Sequence, residues 1–352
     1  MAGSIFSFRS FRSTCCFIVT RTGMNEARCL ARLRATLLAL VLCAGGFAKP
    51  AIGQTVDTIK TAAPVERIIK TGTDAYVLAG GQIFAAVGCD GGSGLSLEPS
   101  ALPSDFAPAP ANALPDGRIA IASTGDIRQA WFARPTTRYA HGVLGDAIEA
   151  GSLVVVTASG NRLEFVLPID QVFEDITPRI ADLDGDGSNE VIAIRSSQQA
   201  GAAPVIFGLV DNALTLRGAG TENGRPNRWL NIAGIVPRAD GGLTLYGVRT
   251  PHIRGRLFSL DFRNGTLMES NDIAADVSNH IIGSRELGMS ATGMFAGRME
   301  LILLSQDRRR LRFPLTGRPD IPLPVAIDKA IIIVDGRVIT ATEDGTLIIV
   351  SP

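Results

Sequence analysis

"AIIIVDGRVITATEDGTLIIV", residues 330–350, is three short runs of mostly β-branched and aliphatic residues, cut by Asp335-Gly336 and Asp344-Gly345. Asp-Gly between apolar runs marks a tight hairpin, because both residues tolerate the positive φ that such turns require. The stretch therefore reads as three consecutive antiparallel strands.

Working outward, the same punctuation recurs from about residue 65 onward. "AYVLAGGQIFAAV" starts at 75, "GSLVVVTASGNRLEFVL" at 151, "APVIFGLVDNALTLRG" at 203, "GRLFSLDFRNGTLM" at 255 and "MELILLS" at 299, with turns at Asn161, Asp211-Asn212 and Asn264-Gly265. Helical patterns are nearly absent, so the fold class is all-β. The runs group into units of about 38 to 56 residues, which brackets the spacing of propeller blades. With about 43 residues per blade, the 299 residues of 54–352 give a single β-propeller of six or seven four-stranded blades. The same strands also suit a pair of two-sheet sandwiches, which periodicity alone does not separate. In a propeller the last strand, within "GTLIIVSP", is expected to complete a blade with a strand from the N-terminal part of 54–352, leaving no free edge. A Pro/Ala-rich segment, 97–116, is expected as an exposed excursion between blades.

Residues 1–53 have the layout of a secretory signal: Arg28, Arg32 and Arg34, an apolar run from Ala35 to Ala48, and a small-x-small site at Ala51-Ile52-Gly53. Met24 just precedes the basic region and would begin a signal of ordinary proportions, making 1–23 an upstream extension. The run is short for a membrane span, so no stable span is expected in the mature form, and the location is periplasmic or extracellular. An N-terminal anchor and a lipid on Cys43 are the competing readings. Removing 1–53 takes four of the five cysteines and leaves Cys89 without an intramolecular disulfide partner. It also leaves 27 basic and 33 acidic residues, a formal net charge of −6. That balance disfavours nucleic acid as a partner and favours cations.

One stretch carries metal chemistry. "PRIADLDGDGSNEVIAI", residues 178–194, places Asp182, Asp184, Asp186 and Glu190 within nine residues, ahead of a strand. Calcium takes six to eight oxygens at about 2.3–2.6 Å, and Asp at alternate positions lets every second side chain turn inward. Gly185 and Gly187 permit the curl, Ser188 sits where a backbone carbonyl ligand is usual, and Glu190 closes the shell. The loop is not an EF-hand, because position twelve is Ala193 and a strand follows. It resembles the calcium loops of FG-GAP or VCBS repeats, found in integrin α-subunit propellers and secreted bacterial proteins. That resemblance implies a loop joining the first two strands of a blade, with ligands Asp182, Asp184, Asp186 and Glu190 and one structural Ca2+. The turns taken as equivalent elsewhere, "GVLGDAIEAGS", "GIVPRADGGL" and "SATGMFAGRM", lack the carboxylates. An ion-free acidic turn and a magnesium site are the alternatives. "RGRLFSLDFRNGTL" and "TATEDGTLIIVSP" also look like blade strands of pyrroloquinoline-quinone-type propellers, without the tryptophan expected after Gly265.

Catalytic signals are sparse. His141, His252 and His280 fall in no metal-ligand spacing, and each reads as an ordinary surface loop residue. Cys89 in "VGCDGGSGLS" reads as a small buried hydrophobe in a turn. Arg308, Arg309, Arg310 and Arg312 in "QDRRRLRF" read as a solvated strand face. The expected function is an exported calcium-binding propeller that acts as a non-catalytic binding or scaffold module for an unidentified protein or glycan. A propeller hydrolase or lyase acting on an extracellular polysaccharide or other polymer is the alternative, and convergent His, Glu and Arg at the channel mouth would favour it.

Overall fold

The computed structural model describes residues 54–71, 74–88, 95–101 and 110–352. The expectations for the signal segment, Cys89 and the middle of the Pro/Ala-rich segment lie outside the described residues. No helix occurs among those described, so none is long and apolar enough to cross a membrane.

The described strands fall into six antiparallel meanders of four strands carried in five sheets: the second and third meanders share one nine-stranded sheet, joined by Gln171–Phe173, which pairs with both Glu149–Thr157 and Glu190–Ser197. The first is Val65–Thr71, Asp74–Ala79, Gln82–Gly88 and Leu95–Pro99; the second is Ala120–Ile121, Ile127–Thr136, Glu149–Thr157 and Arg162–Val166. The third is Arg179–Ala181, Glu190–Ser197, Gly201–Val210 and Ala213–Ala219; the fourth is Leu230–Pro237, Leu243–Arg249, Arg256–Arg263 and Thr266–Ala275. The fifth is Ala291–Phe295, Arg298–Ser305, Arg310–Phe313 and Arg318–Pro322. The sixth takes three strands from 330–350, namely Ile332–Val334, Arg337–Ala341 and Leu347–Ser351. Its fourth is Thr55–Ile59, which pairs with Leu347–Ser351 from Thr55↔Ser351 to Ile59↔Leu347.

The turns follow from the residues expected to make them. Asp211, Asn212, Asn264 and Asp335 hold φ between 49° and 62°, a region that Asn and Asp reach at least cost. Middle strands such as Glu149–Thr157 and Gly201–Val210 are buried on both faces, whereas the outer strand Thr266–Ala275 is mostly exposed. That gradient means the sheets stack face to face, each middle strand covered by its neighbours. Phe132, Phe173 and Phe207 pack between the second and third meanders, and Trp229, Phe258 and Phe262 between the third and fourth. Leu301 and Leu303 with Val248 join fourth to fifth, Phe295 and Phe313 with Val338 join fifth to sixth, and Val77 with Ile339 joins sixth to first. Each such side chain, once fully buried, contributes about 1.5–3 kcal/mol of transfer free energy.

Residues 117–124, "GRIAIAST", read as one strand in sequence, form only the two-residue strand Ala120–Ile121, because the first strand of the second meander is broken. Ala113 bridges Ala133 upstream, and 115–119 loop out between. The third meander is broken likewise between Gln171–Phe173 and Arg179–Ala181, and the fifth between Val277–Ser278 and Ala291–Phe295. In addition, "GVLGDAIEAGS" is not the counterpart of the acidic loop: it joins the second and third strands of its meander, and the true counterpart is 122–126. The arginine run is not a free basic face either. Arg308 pairs with Glu343 at 2.6 Å, Arg310 with Asp276 at 2.9 Å and Arg312 with Asp320 at 3.3 Å.

Candidate functional site

The acidic loop connects the first two strands of the third meander, the position the resemblance implies. Asp182 organises it: Oδ1 accepts the amides of Gly185 (2.8 Å) and Asp186 (3.1 Å), and Oδ2 accepts that of Gly187 (2.9 Å). Gly185 and Gly187 have φ of 79° and 90°, so the curl uses the freedom that glycine supplies. Asp182, Asp184 and Glu190 each bring a carboxylate oxygen to within 4.8 Å of the others. Asp186 stays outside this trio, exposed, with Oδ1 accepting the amide of Ser188 at 2.7 Å.

Two observations match this donor set to a hard cation. Asp184 Oδ1 is buried and has no hydrogen-bond partner, which costs free energy unless something else satisfies it. Glu190 is buried and accepts the amide of Leu183 at 2.9 Å. Burial, opposed by that hydrogen bond and reinforced by the charges of Asp184, Asp186 and Asp182, pushes its carboxyl up to about 7. A divalent ion would reverse the sign of that field.

The loop is also a seam. Asn189 donates Nδ2 to the carbonyls of Thr124 (2.6 Å) and Ile127 (2.9 Å) in the second meander, and its amide bonds Asp126 Oδ1 at 2.7 Å. On the other side the Leu183 carbonyl accepts the amide of Leu243 from the fourth meander at 2.9 Å. A cavity of 370 Å³ beside the loop is lined by Asp184 and Asp186 together with Arg217, Arg238 and Arg263. Arg238 and Arg263 are paired there with Asp240 and Asp261.

At the other end of the sheets lies a cluster that spacing did not reveal. His141 comes from the connection before Glu149–Thr157, Glu174 follows Gln171–Phe173, Trp229 precedes Leu230–Pro237, His252 lies in the connection before Arg256–Arg263, and His280 follows Val277–Ser278. His141 Nδ1 lies 2.6 Å from Glu174 Oε1, and the Trp229 indole N–H donates to the Glu174 carbonyl at 2.9 Å. The Trp229 ring centroid is 6.0 Å from that of His252 and 4.6 Å from that of His280. Glu174 is 0% and His280 1% exposed. The three histidines are therefore not ordinary surface residues. They belong to a network, buried at Glu174 and His280 and half-buried at His141 and His252, that links the second, third, fourth and fifth meanders. Glu149 lies at its margin, buried, with neither carboxyl oxygen hydrogen-bonded. Burial first and the nearby Glu174 second push its carboxyl up to about 9.

No family model and no curated protein matches the chain. Among solved structures it is similar to PorZ, an essential bacterial surface component of the type-IX secretion system of Porphyromonas gingivalis, with TM-score 0.35 and 11% identity over 83% of this chain and 37% of PorZ. The chain thus spans well under half of that protein. It is also similar to AofleA from Arthrobotrys oligospora, with TM-score 0.36 and 9% identity over 85% of this chain and 87% of that one. For BamB from Moraxella catarrhalis the figures are 0.30 and 10%, over 85% and 98%. PorZ and BamB are β-propeller-type proteins, and none of the three assigns a role to a residue here.

Proposed function

We propose that the six meanders are the blades of one β-propeller, and that the chain is an exported, calcium-binding, non-catalytic binding or scaffold module. The observation that carries the reading is the buried, unpartnered Asp184 Oδ1 beside Asp182 and Glu190 in a loop of the third meander bonded to the second and fourth. One Ca2+ held by Asp182, Asp184 and Glu190, with Asp186 and the Ser188 carbonyl drawn in, would pin that junction. Thr55–Ile59 in the sixth meander supports a closed ring. The basic and apolar layout of 28–53 supports export to the periplasm or beyond.

Calorimetric titration with calcium and with magnesium tests the site. About one calcium per chain is expected, with a stabilisation of about 2.7 kcal/mol at a free concentration 100 times the dissociation constant. Asp184→Asn should lose both. Absence of heat and of any thermal shift would reduce the motif to an acidic turn.

The enzyme reading has one observation in its favour, the convergence of His141, Glu174, His252 and His280 around Trp229. Its test is depolymerisation of acidic and neutral polysaccharides by the wild-type chain and by His252→Gln.

A further inference from the structure

The broken first strands leave two adjoining cavities, of 690 and 420 Å³, along the edge where the meanders begin. The larger is lined by Asp116 and Arg118 of the second meander, 176–179 of the third, 284–288 of the fifth and 328–329 of the sixth, with Glu66 and Arg67 of the first. The smaller is lined by Ile68–Lys70, Ala233–Gly234, Ser290–Thr292 and Ala330–Ile333. Arg67, Arg118, Glu286 and Gly288 line both, so they form the waist between the chambers.

The charge of this space runs against the net negative balance of 54–352. Arg67, Lys70, Arg118, Arg179, Arg285 and Lys329 face it, against Glu66, Asp116, Glu286 and Asp328. Several of these are engaged with each other: Arg285 pairs with Asp116 and Asp146, Lys329 with Asp328, and Arg179 with the buried Asp175. At the waist the Arg67 side chain has no ion pair or hydrogen bond among the described residues, and Arg118 beside it is half-buried and already has a partner. Burial, and after it the charge of Arg67, lowers the Arg118 guanidinium from its ordinary value. The carboxylate that answers them, Glu286, is also bonded to the Gly288 amide at 2.8 Å. Among the described residues no aromatic side chain lines either chamber, so none of them offers a sugar ring a stacking face. Two forked guanidiniums at one constriction suit a ligand with several anionic oxygens.

We propose that the waist between the two cavities, at Arg67 and Arg118, binds a compact multivalent anion, of the phosphate or small polycarboxylate class. This site is separate from the acidic loop and does not depend on calcium.

The test is calorimetric titration of residues 54–352 with inorganic phosphate, with citrate and with glucose, each with and without calcium. One phosphate or one citrate per chain is expected, with no heat from glucose and no dependence on calcium; which anion binds tells the two sources apart. Arg67→Gln, at an exposed side chain, should weaken binding at least about tenfold with the melting temperature unchanged. Arg67→Lys, which keeps the charge but loses the fork, should fall between. No heat from either anion, or equal binding by wild type and Arg67→Gln, would overturn the proposal. Loss of calcium binding alone would count against the acidic-loop reading and leave this one standing.

Discussion

His252 donates Nε2–H to His280 Nδ1 at 2.7 Å, and the direction is set by what lies beyond. His280 Nε2 is 2.8 Å from the Ser284 carbonyl, which can only accept, so this nitrogen carries the proton and Nδ1 is left as the acceptor. The chain of donors works only while His280 is neutral. Protonating His280 at Nδ1 would set two donors against each other.

The first prediction is acid sensitivity. Burial, aided by the charge of His141, lowers His252 to about 4; burial, opposed by the Ser284 bond, lowers His280 to about 4. The unfolded chain takes up these protons near 6.5 and the folded chain does not, so stability is full above pH 6.5 and is lost as pH falls towards 4. Chemical denaturation at pH 4.5 and 7 should show the loss, and His252→Gln/His280→Gln should flatten it. An unchanged slope in the double variant would refute this.

Glu149 acts in the opposite sense. Its folded carboxyl keeps its proton up to about 9, whereas the unfolded one releases it near the ordinary value of about 4.3. Its stabilising contribution is therefore present in acid and lost as pH rises between those limits. Glu149→Gln should raise stability at pH 7 by on the order of 2–3 kcal/mol, with the gain vanishing near pH 4. Equal stability of the two proteins at pH 7 would show that Glu149 is not held protonated.

Asn189→Ala tests the seam. It leaves the Thr124 and Ile127 carbonyls without the amide that now serves them, at a cost of about 1–3 kcal/mol. The measurement is the denaturant midpoint. A change below a few tenths of a kcal/mol would mean the loop is not a junction.

Removing 54–60 should expose the Leu347–Ser351 edge, since Thr55–Ile59 is its outer partner. Light scattering on warming should show aggregation that the parent chain does not. Equal solubility would count against the ring.

Much of this fold was legible in the sequence because its cues are local. Asp335-Gly336, Asn264-Gly265 and Asp211-Asn212 mark turns through backbone freedom alone, and Gly185 and Gly187 marked the curl of the acidic loop for the same reason. What escaped is set by tertiary placement. Asp186 has the right spacing but spends its carboxylate on the Ser188 amide. His252 and His280 reach Trp229 from different connections, and no spacing within the chain records that. The ion pairs of Arg310 and Arg312 depend on Asp276 and Asp320, which lie beyond the arginine run itself.

The pairing of Thr55 with Ser351 also dictates an order of events in folding. Loop-closure entropy rises with the length of chain enclosed, and this pairing encloses nearly all of it. Proteins rich in such distant contacts fold slowly. Synthesis delivers Thr55–Ile59 nearly 300 residues before its partner strand Leu347–Ser351, so it waits unpaired while the intervening chain is made. That waiting strand is where a chaperone, or a misdirected second chain, would find its hold.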